Sequence, residues 1–292
     1  MKIAIYGRPT KDNISEPIQI LFNKLKESNI EVLIYEPFYQ FISKELKLTG
    51  SYKTFTSHTG LKAGVNFMFS LGGDGTFLET LIYVRDSGIP ILGINTGRLG
   101  FLANVAKTEI GAAIDALIEN RYSIEARALL SLSTKNNLFG DLNYAMNELT
   151  IMKKDSLAMV TVNAYVNGEY LNSYFADGLI IATPTGSTAY SLSCGGPLVM
   201  PGSQNFLITP IAPHNLNVRP LIISDNNVIT LKISGRSKQY LVTMDSRSEV
   251  VDTSVELTLK KAGFYANLVK LENQSFFNTI RNKLLWGLDK RN

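Results

Sequence analysis

Two hydrophobic periodicities divide this chain. Over roughly the first 120 residues, short apolar runs alternate with segments whose apolar positions recur every three or four residues, whereas from about Ser123 onward the repeat is two. "KIAIY" (Lys2 to Tyr6) is a strand-type run, and after Pro17 the positions Ile18, Leu21, Phe22 and Leu25 form one helical stripe. Ile30 to Glu36, Phe67 to Leu71 and Ile89 to Asn95 read as further strands. Between the last two, Leu78, Leu81, Ile82 and Arg85 recur with helical spacing before a stop at Gly88, and Thr108 to Asn120 predicts another helix. Such alternation builds a doubly wound parallel sheet, whose ligands lie beyond the carboxyl ends of the strands.

In the second region "LLSLST", "NYAMNELTIM", "AMVTVNAYVNG", "GLIIATP", "NVITLKISG", "QYLVTMD", "SVELTLKK" and "ANLVKLE" are β-branched runs broken by Gly, Asn and Asp. Asn167 and Gly168 supply a hairpin turn. An α/β domain over residues 1–122 and an all-β domain over 123–272 are therefore expected, followed by a return to helical spacing in "SFFNTIRNKLLWGL".

Composition narrows the partners. At 292 residues, 45% hydrophobic and 18% charged, the chain can fill two cores. The net charge of +4 suits anionic small molecules, but basic residues stand singly or in pairs such as Lys153 and Lys154. Without a basic stripe interleaved with aromatics, nucleic acid is not an expected partner. A lone Cys194 cannot form an internal disulfide, "MKIAIYGR" is too short for a signal peptide, and no run reaches the ~18 apolar residues of a membrane span. A cytoplasmic location with no membrane partner is expected.

The stretch "FMFSLGGDGTFLET" carries the chemistry. A tight turn accounts for a glycine through positive φ, but Gly72, Gly73 and Gly75 around Asp74 exceed what a strand-to-helix turn needs. The surplus implies close approach of something to the backbone. A glycine-rich loop opening a helix aims backbone N–H groups and the positive helix end at one place, which suits a phosphate chain. Neither the GK[ST] of a Walker loop nor the spacing of a dinucleotide fold is present. A carboxylate there repels phosphate, so it needs a use that outweighs the repulsion: accepting the proton of an attacking hydroxyl, or binding Mg²⁺.

"GGDGT" (Gly72 to Thr76) resembles the signature shared by NAD kinases, 6-phosphofructokinases and diacylglycerol-type lipid kinases. Four further segments, "NTGRLGFL" (Asn95 to Leu102), Asn147 with Glu148, "DGLIIATPTGSTAYSLSCGGPLV" (Asp177 to Val199) and "PHNLNVRPL" (Pro213 to Leu221), together with the terminal "FFNTIRNKLLWG", resemble the NAD kinase family along almost the whole chain. The resemblance implies an N-terminal α/β domain, a C-terminal β-sandwich, and phosphoryl transfer from ATP or polyphosphate to the adenosine 2′-hydroxyl of NAD. It implies Asp74 as general base and NAD contact, and Gly73, Gly75, Thr76 and Arg98 as donor-phosphate contacts. Phe101, Asn147, Glu148, Asp177, Thr185, Thr188, Ala189, Tyr190, Ser193 and Asp245 are implied as NAD contacts. Mg²⁺ would enter with ATP, with no tightly held protein metal site, and the assembly would be a homodimer or homotetramer. By spacing alone Phe276, Phe277, Ile280, Leu284 and Leu285 form a stripe on a helix begun by Ser275, expected to pack back on the α/β domain because sandwich faces already cover each other.

Plainer readings stand beside these. "TPTGSTAY" alone is a turn followed by a helix capped by Ser187 or Thr188, and Asn147 and Glu148 in a strand pattern alone are outward-facing polar residues. The resemblance reverses both. His214 and His58 show no metal-ligand spacing, and Cys194 reads as a packed residue. In "DSR" (Asp245 to Arg247) the chain departs from the family pattern at Arg247, where an amide commonly stands. Two rivals remain at this level: another hydroxyl kinase with a sugar-phosphate or lipid acceptor, and a non-enzymatic nucleotide sensor.

Overall fold

The computed structural model describes residues 1–11, 14–45, 52–61, 64–97, 99–154, 159–235, 237, 239–272 and 274–287. Two compact units divide the chain: Met1–Ala126 with Ala266–Asn292, and Arg127–Tyr265.

The first unit runs β1 (Lys2–Gly7), α1 (Ser15–Glu27), β2 (Glu31–Tyr35), α2 (Glu36–Glu45), β3 (Lys53–Phe55), β4 (Phe67–Leu71), α3 (Asp74–Val84), β5 (Ile91–Ile94) and α4 (Ile110–Ile118). Helix α1 buries Ile18, Leu21, Phe22 and Leu25, as their spacing requires, with Glu16 in its first turn and Lys24 and Lys26 in its last to complement the dipole. The strands form a parallel sheet in the order β5-β4-β1-β2-β3, so strand order reverses between β4 and β1. Helix α2, whose Phe38 and Ile42 are buried four residues apart, and the three-residue strand β3 are additions to the elements expected from sequence. The buried face of α3 also differs from expectation: Phe77, Thr80, Leu81 and Val84 point inward, while Leu78 and Ile82 are half-buried. The helix starts at Asp74 itself, and Thr80 turns inward because its hydroxyl donates to Ser70 Oγ at 2.8 Å.

The chain continues with β6 (Tyr122–Ser133), which enters the second unit at Arg127, then β7 (Tyr144–Ala145), β8 (Glu148–Lys153), β9 (Val160–Val166), β10 (Glu169–Ala176), β11 (Gly178–Ala182), α5 (Tyr190–Ser193), β12 (Asn205–Ile211), β13 (Leu221–Ser224), β14 (Ile229–Gly235), β15 (Tyr240–Met244), β16 (Arg247–Val251) and β17 (Glu256–Leu271). One antiparallel sheet has the order β13-β12-β11-β8-β15-β16, and β10-β9-β14-β17 runs through a second. Residues from the inner faces of both sheets, among them Val160, Val162, Ile181, Phe206, Ile208, Leu231 and Val242, share one apolar core. Asn167 and Gly168 both take positive φ, 53° and 85°, and close the β9–β10 hairpin. "SVELTLKK" and "ANLVKLE" fall on one sixteen-residue strand, β17. From Ala266 onward that strand belongs to the first unit, where Leu268 pairs with Ile91 of β5. Strands β10, β12, β13 and β16 are not legible in the sequence as separate runs. Among the described residues no helix is long and apolar enough to cross a membrane.

The terminal helix corrects an expectation. α6 (Phe276–Leu284) belongs to the first unit, but of its five-residue stripe only Ile280 is buried, at 5% exposure. Phe277 is 57% and Leu285 66% exposed. The helix stops at Leu284, and Leu285 turns left-handed (φ 58°), so it leaves the stripe. The attachment is partly polar: Gln274 Nε2 donates to Asn104 Oδ1 at 3.1 Å, beside a cavity of about 300 Å³ lined by Asn104, Ala113, Leu271 and Asn278. Ile280→Ala should therefore lower stability by about 2 kcal/mol and Phe277→Ala by less than about 0.5 kcal/mol, read as shifts in urea midpoint at constant m-value. Equal losses from both variants would show that the whole stripe is covered.

Candidate active site

In the first unit the glycine-rich loop uses its glycines unequally. Only Gly72 takes positive φ, 152°, with the Thr76 side chain packed against its Cα. Gly73 is the N-cap of α3 at φ −95°, and Gly75 lies inside the helix. Both are exposed, and a Cβ added at either would meet nothing within 4 Å. Their value is open space over the first turn, where backbone N–H groups have no intrahelical acceptor.

Asp74 faces the loop after β5. Its Oδ2 accepts the N–H of Phe101 at 2.8 Å, and its Oδ1 accepts those of Leu102 and Ala103, each at 2.9 Å. Gly100 is required there, since a Cβ would overlap the carboxylate. The half-buried Phe101 is thus tied to Asp74 through its backbone. Arg98 lies outside the described residues.

In the second unit Asp245 does the same for another stretch. Its carboxylate, 4% exposed, accepts N–H groups of Met146 at 2.9 Å, Asn147 at 2.8 Å and Glu148 at 3.3 Å. Its own N–H donates to the Glu148 carbonyl, and its φ of 50° sets the turn between β15 and β16. Burial pushes the Asp245 carboxyl up from its ordinary value, and the three amides and Arg247 oppose that shift. Arg247 donates to the carbonyls of Leu142 and Tyr144 and lies over the Tyr144 ring, so the departure from the family's amide serves the fold.

The segment held by Asp245 presents Asn147 and Glu148. Asn147 Oδ1 and Glu148 Oε2 are buried with no hydrogen-bond partner among the described residues. Burial first, and the nearby Asp245 second, push the Glu148 carboxyl up to about 8. The turn after β11 is stitched to the same segment: Thr183 N–H donates to the Asn147 carbonyl at 2.8 Å, the Thr183 hydroxyl donates to Met146 O, and Gly186 lies so close to the Asn147 backbone that a Cβ cannot fit. Thr185 is buried and its hydroxyl accepts from Arg127 Nη1 at 3.3 Å. The Thr188 hydroxyl donates back to Thr185 O, and Ala189 lies between that turn and α5. No side-chain cap bond starts α5; the Ser187 hydroxyl instead donates to Pro184 O and accepts from Val199 N–H. Tyr190 is half-buried, its phenol pushed up by burial and then by Cys194, Asp177 and Glu148, which places these groups in one neighbourhood. Asp177 pairs with Lys153 at 2.5 Å, and Ser193 is exposed at the end of α5.

Thr183, Gly186 and Arg127 are supporting residues that sequence reasoning does not pick out. A charged residue inside the apolar run "EARALL" is the available signal for Arg127. Among the described residues no three His, Cys, Asp or Glu side chains are grouped to hold a metal ion.

Comparison with known proteins agrees over the full length. Residues 3–122 match the ATP-NAD kinase N-terminal domain and residues 146–271 the ATP-NAD kinase C-terminal domain. The chain is 50% identical to an NAD kinase of Flavobacterium psychrophilum and 47% identical to one of Cytophaga hutchinsonii, covering 100% of each chain in both cases. A crystal structure of yeast NADH kinase complexed with NADH matches with a TM-score of 0.87 at 25% identity, over 98% of this chain and 88% of that one. An NAD kinase from Archaeoglobus fulgidus in complex with ATP matches with a TM-score of 0.76 at 27% identity, over 98% of this chain and 99% of that one. With both halves matched in order and full-length relatives near half identity, this chain belongs to the NAD kinase family.

Proposed function

We propose that the protein transfers the terminal phosphoryl group of ATP to the 2′-hydroxyl of the adenosine ribose of NAD, giving NADP. The observation that carries this reading is the pair of buried, unpartnered atoms Asn147 Oδ1 and Glu148 Oε2 on adjacent residues. Such atoms are normally satisfied, and vicinal ribose hydroxyls offer the two donors they lack. Tyr190, Asp177, Thr185, Thr188, Ala189 and Ser193 surround or follow that segment as further NAD contacts, and Phe101 is a candidate neighbour of the adenine. Asp245, with its carboxylate committed to three amides, acts on NAD through the backbone it holds.

Gly73, Gly75 and Thr76 receive the donor phosphates at the start of α3, and Arg98 is a further candidate contact. The nucleophilic 2′-oxygen forms a bond to the terminal phosphorus as the bond to the ADP oxygen breaks, and its proton passes to Asp74. Oδ1 of Asp74 already accepts two N–H groups and Oδ2 one, so Oδ2 retains the acceptor capacity. Mg²⁺ enters as part of the Mg–ATP substrate and offsets phosphate charge. The lone cysteine suits a reducing cytoplasm, and the family resemblance supports a homodimer or homotetramer. Incubation with NAD, ATP and Mg²⁺, with product detected by an NADP-specific dehydrogenase, tests the reading, and a parallel reaction with polyphosphate identifies the donor. Absence of NADP with every donor rejects it.

Asp74→Asn should lower kcat by about 10²- to 10⁴-fold, the size of a lost general base. It should also cost about 1–3 kcal/mol of stability, because the new amide nitrogen faces a backbone N–H. A near-normal kcat beside the stability loss would reduce Asp74 to a structural acceptor.

Glu148 supplies a pH signature. Its folded pKa lies above the unfolded value, so its stabilising contribution is complete below about 4.5 and is lost as pH rises toward about 8. In thermal melts without NAD, the parent should therefore lose stability relative to Glu148→Gln between about pH 5 and 8. For NAD, the ionised carboxylate is the better acceptor, so calorimetry should find Glu148→Gln about tenfold weaker than the parent above about pH 8.5, with the gap narrowing at about pH 6.5. A pH-independent ratio would remove the carboxylate from the NAD contact.

A further inference from the structure

Strand order in the parallel sheet reverses between β4 and β1, and open parallel sheets bind ligands where it does. The loops leaving these two strands start side by side, since Gly7 pairs with Leu71. One is the Gly72–Asp74 loop; the other begins at Arg8. The Arg8 guanidinium is gripped side-on by Glu79 of α3, with Nε and Nη2 meeting the two carboxylate oxygens, while the Tyr6 hydroxyl donates to Glu79 at 2.9 Å. Tyr6 is itself fixed between the rings of Tyr35 and Tyr83, each with centroids 4.9 Å away.

Glu79 lies four residues after Gly75 and three after Thr76 on α3, on the same helical face and one turn along. Side chains on a helix lean toward its N-terminus, so Glu79 draws the guanidinium toward the turn that carries Gly75 and Thr76. The Arg8 side chain is half exposed, and the edge carrying Nη1 is not the edge that Glu79 holds. Charge supplies the reason for it. Asp74 and Glu79 put two carboxylates near a loop that receives phosphates, and an oriented cation offsets their repulsion.

We propose that Arg8 is a contact for the phosphate chain of the phosphoryl donor, positioned by Glu79 and Tyr6. The inference rests on the kinase reading above and adds a residue from the β1–α1 loop to the donor site. A planar guanidinium fixed on one edge meets phosphate oxygens with its other edge at little entropic cost.

The test compares the full-length parent, Arg8→Gln, Arg8→Lys and the distant charge control Arg121→Gln by calorimetry with Mg–ATP, with inorganic tripolyphosphate and with NAD. Arg8→Gln should weaken ATP and tripolyphosphate binding by about 10- to 100-fold, the range for a hydrogen bond to a charged group, and leave NAD affinity within about twofold. Arg8→Lys should fall between, and Arg121→Gln should match the parent. Steady-state kinetics should show the same split, with KM raised for ATP and not for NAD. Unchanged ATP and tripolyphosphate binding in Arg8→Gln overturns the contact while NADP formation by the parent upholds the kinase reading. Parallel losses of ATP and NAD affinity overturn it by marking a purely structural ion pair. A parent that binds no ATP and makes no NADP brings down both.

Discussion

One carboxylate accepting hydrogen bonds from three consecutive backbone amides is the interaction on which both halves of this protein depend. Asp74 holds Phe101, Leu102 and Ala103, and Asp245 holds Met146, Asn147 and Glu148. An amide buried without an acceptor costs about 1–3 kcal/mol, and regular structure cannot supply acceptors where the chain leaves a strand. A carboxylate has room for several donors, so a single side chain fixes three residues at once. In the first unit this ties the start of α3 to the loop after β5. In the second it fixes the entry to β8, and Thr183 and Gly186 then dock against that entry.

Those backbone amides are satisfied, but two side-chain atoms beside them are not. Asn147 Oδ1 and Glu148 Oε2 stay buried and unpartnered among the described residues, and Glu148 is held near a pKa of about 8 in a setting that disfavours its charge. In the proposed reading a ligand bringing two hydroxyls removes both costs together, which would favour a diol over other ligands. The glycines divide the same way. Gly100 and Gly186 permit close backbone contact inside each unit, whereas Gly73 and Gly75 keep the surface over α3 open. Arg247 shows why the departure from the family pattern is tolerated: a half-buried guanidinium can satisfy two carbonyls and a ring, provided a carboxylate such as Asp245 lies 4.0 Å away.

The sequence shows in its own residues the two periodicities, hence a parallel α/β sheet and an antiparallel sandwich, together with the glycine-rich loop, whereas Asn147 and Glu148 stand out only through the family resemblance. These are local signals: side-chain period 2 or 3.6, and short motifs whose residues are neighbours in the chain. It failed where local pattern was silent or misleading. Strand β3 is three residues long, β10 and β12 alternate weakly, and the α6 stripe looked large enough to bury yet keeps only Ile280 covered. The hydrogen-bond partners of the acidic residues follow from the folded chain and not from local pattern. The partners of Asp74 lie 27 to 29 residues away and those of Asp245 lie 97 to 99 away, separations at which no periodicity links donor to acceptor. Arg8 and Glu79 meet across 71 residues because β1 and α3 are brought together by sheet order, and sheet order is fixed by packing of the whole unit.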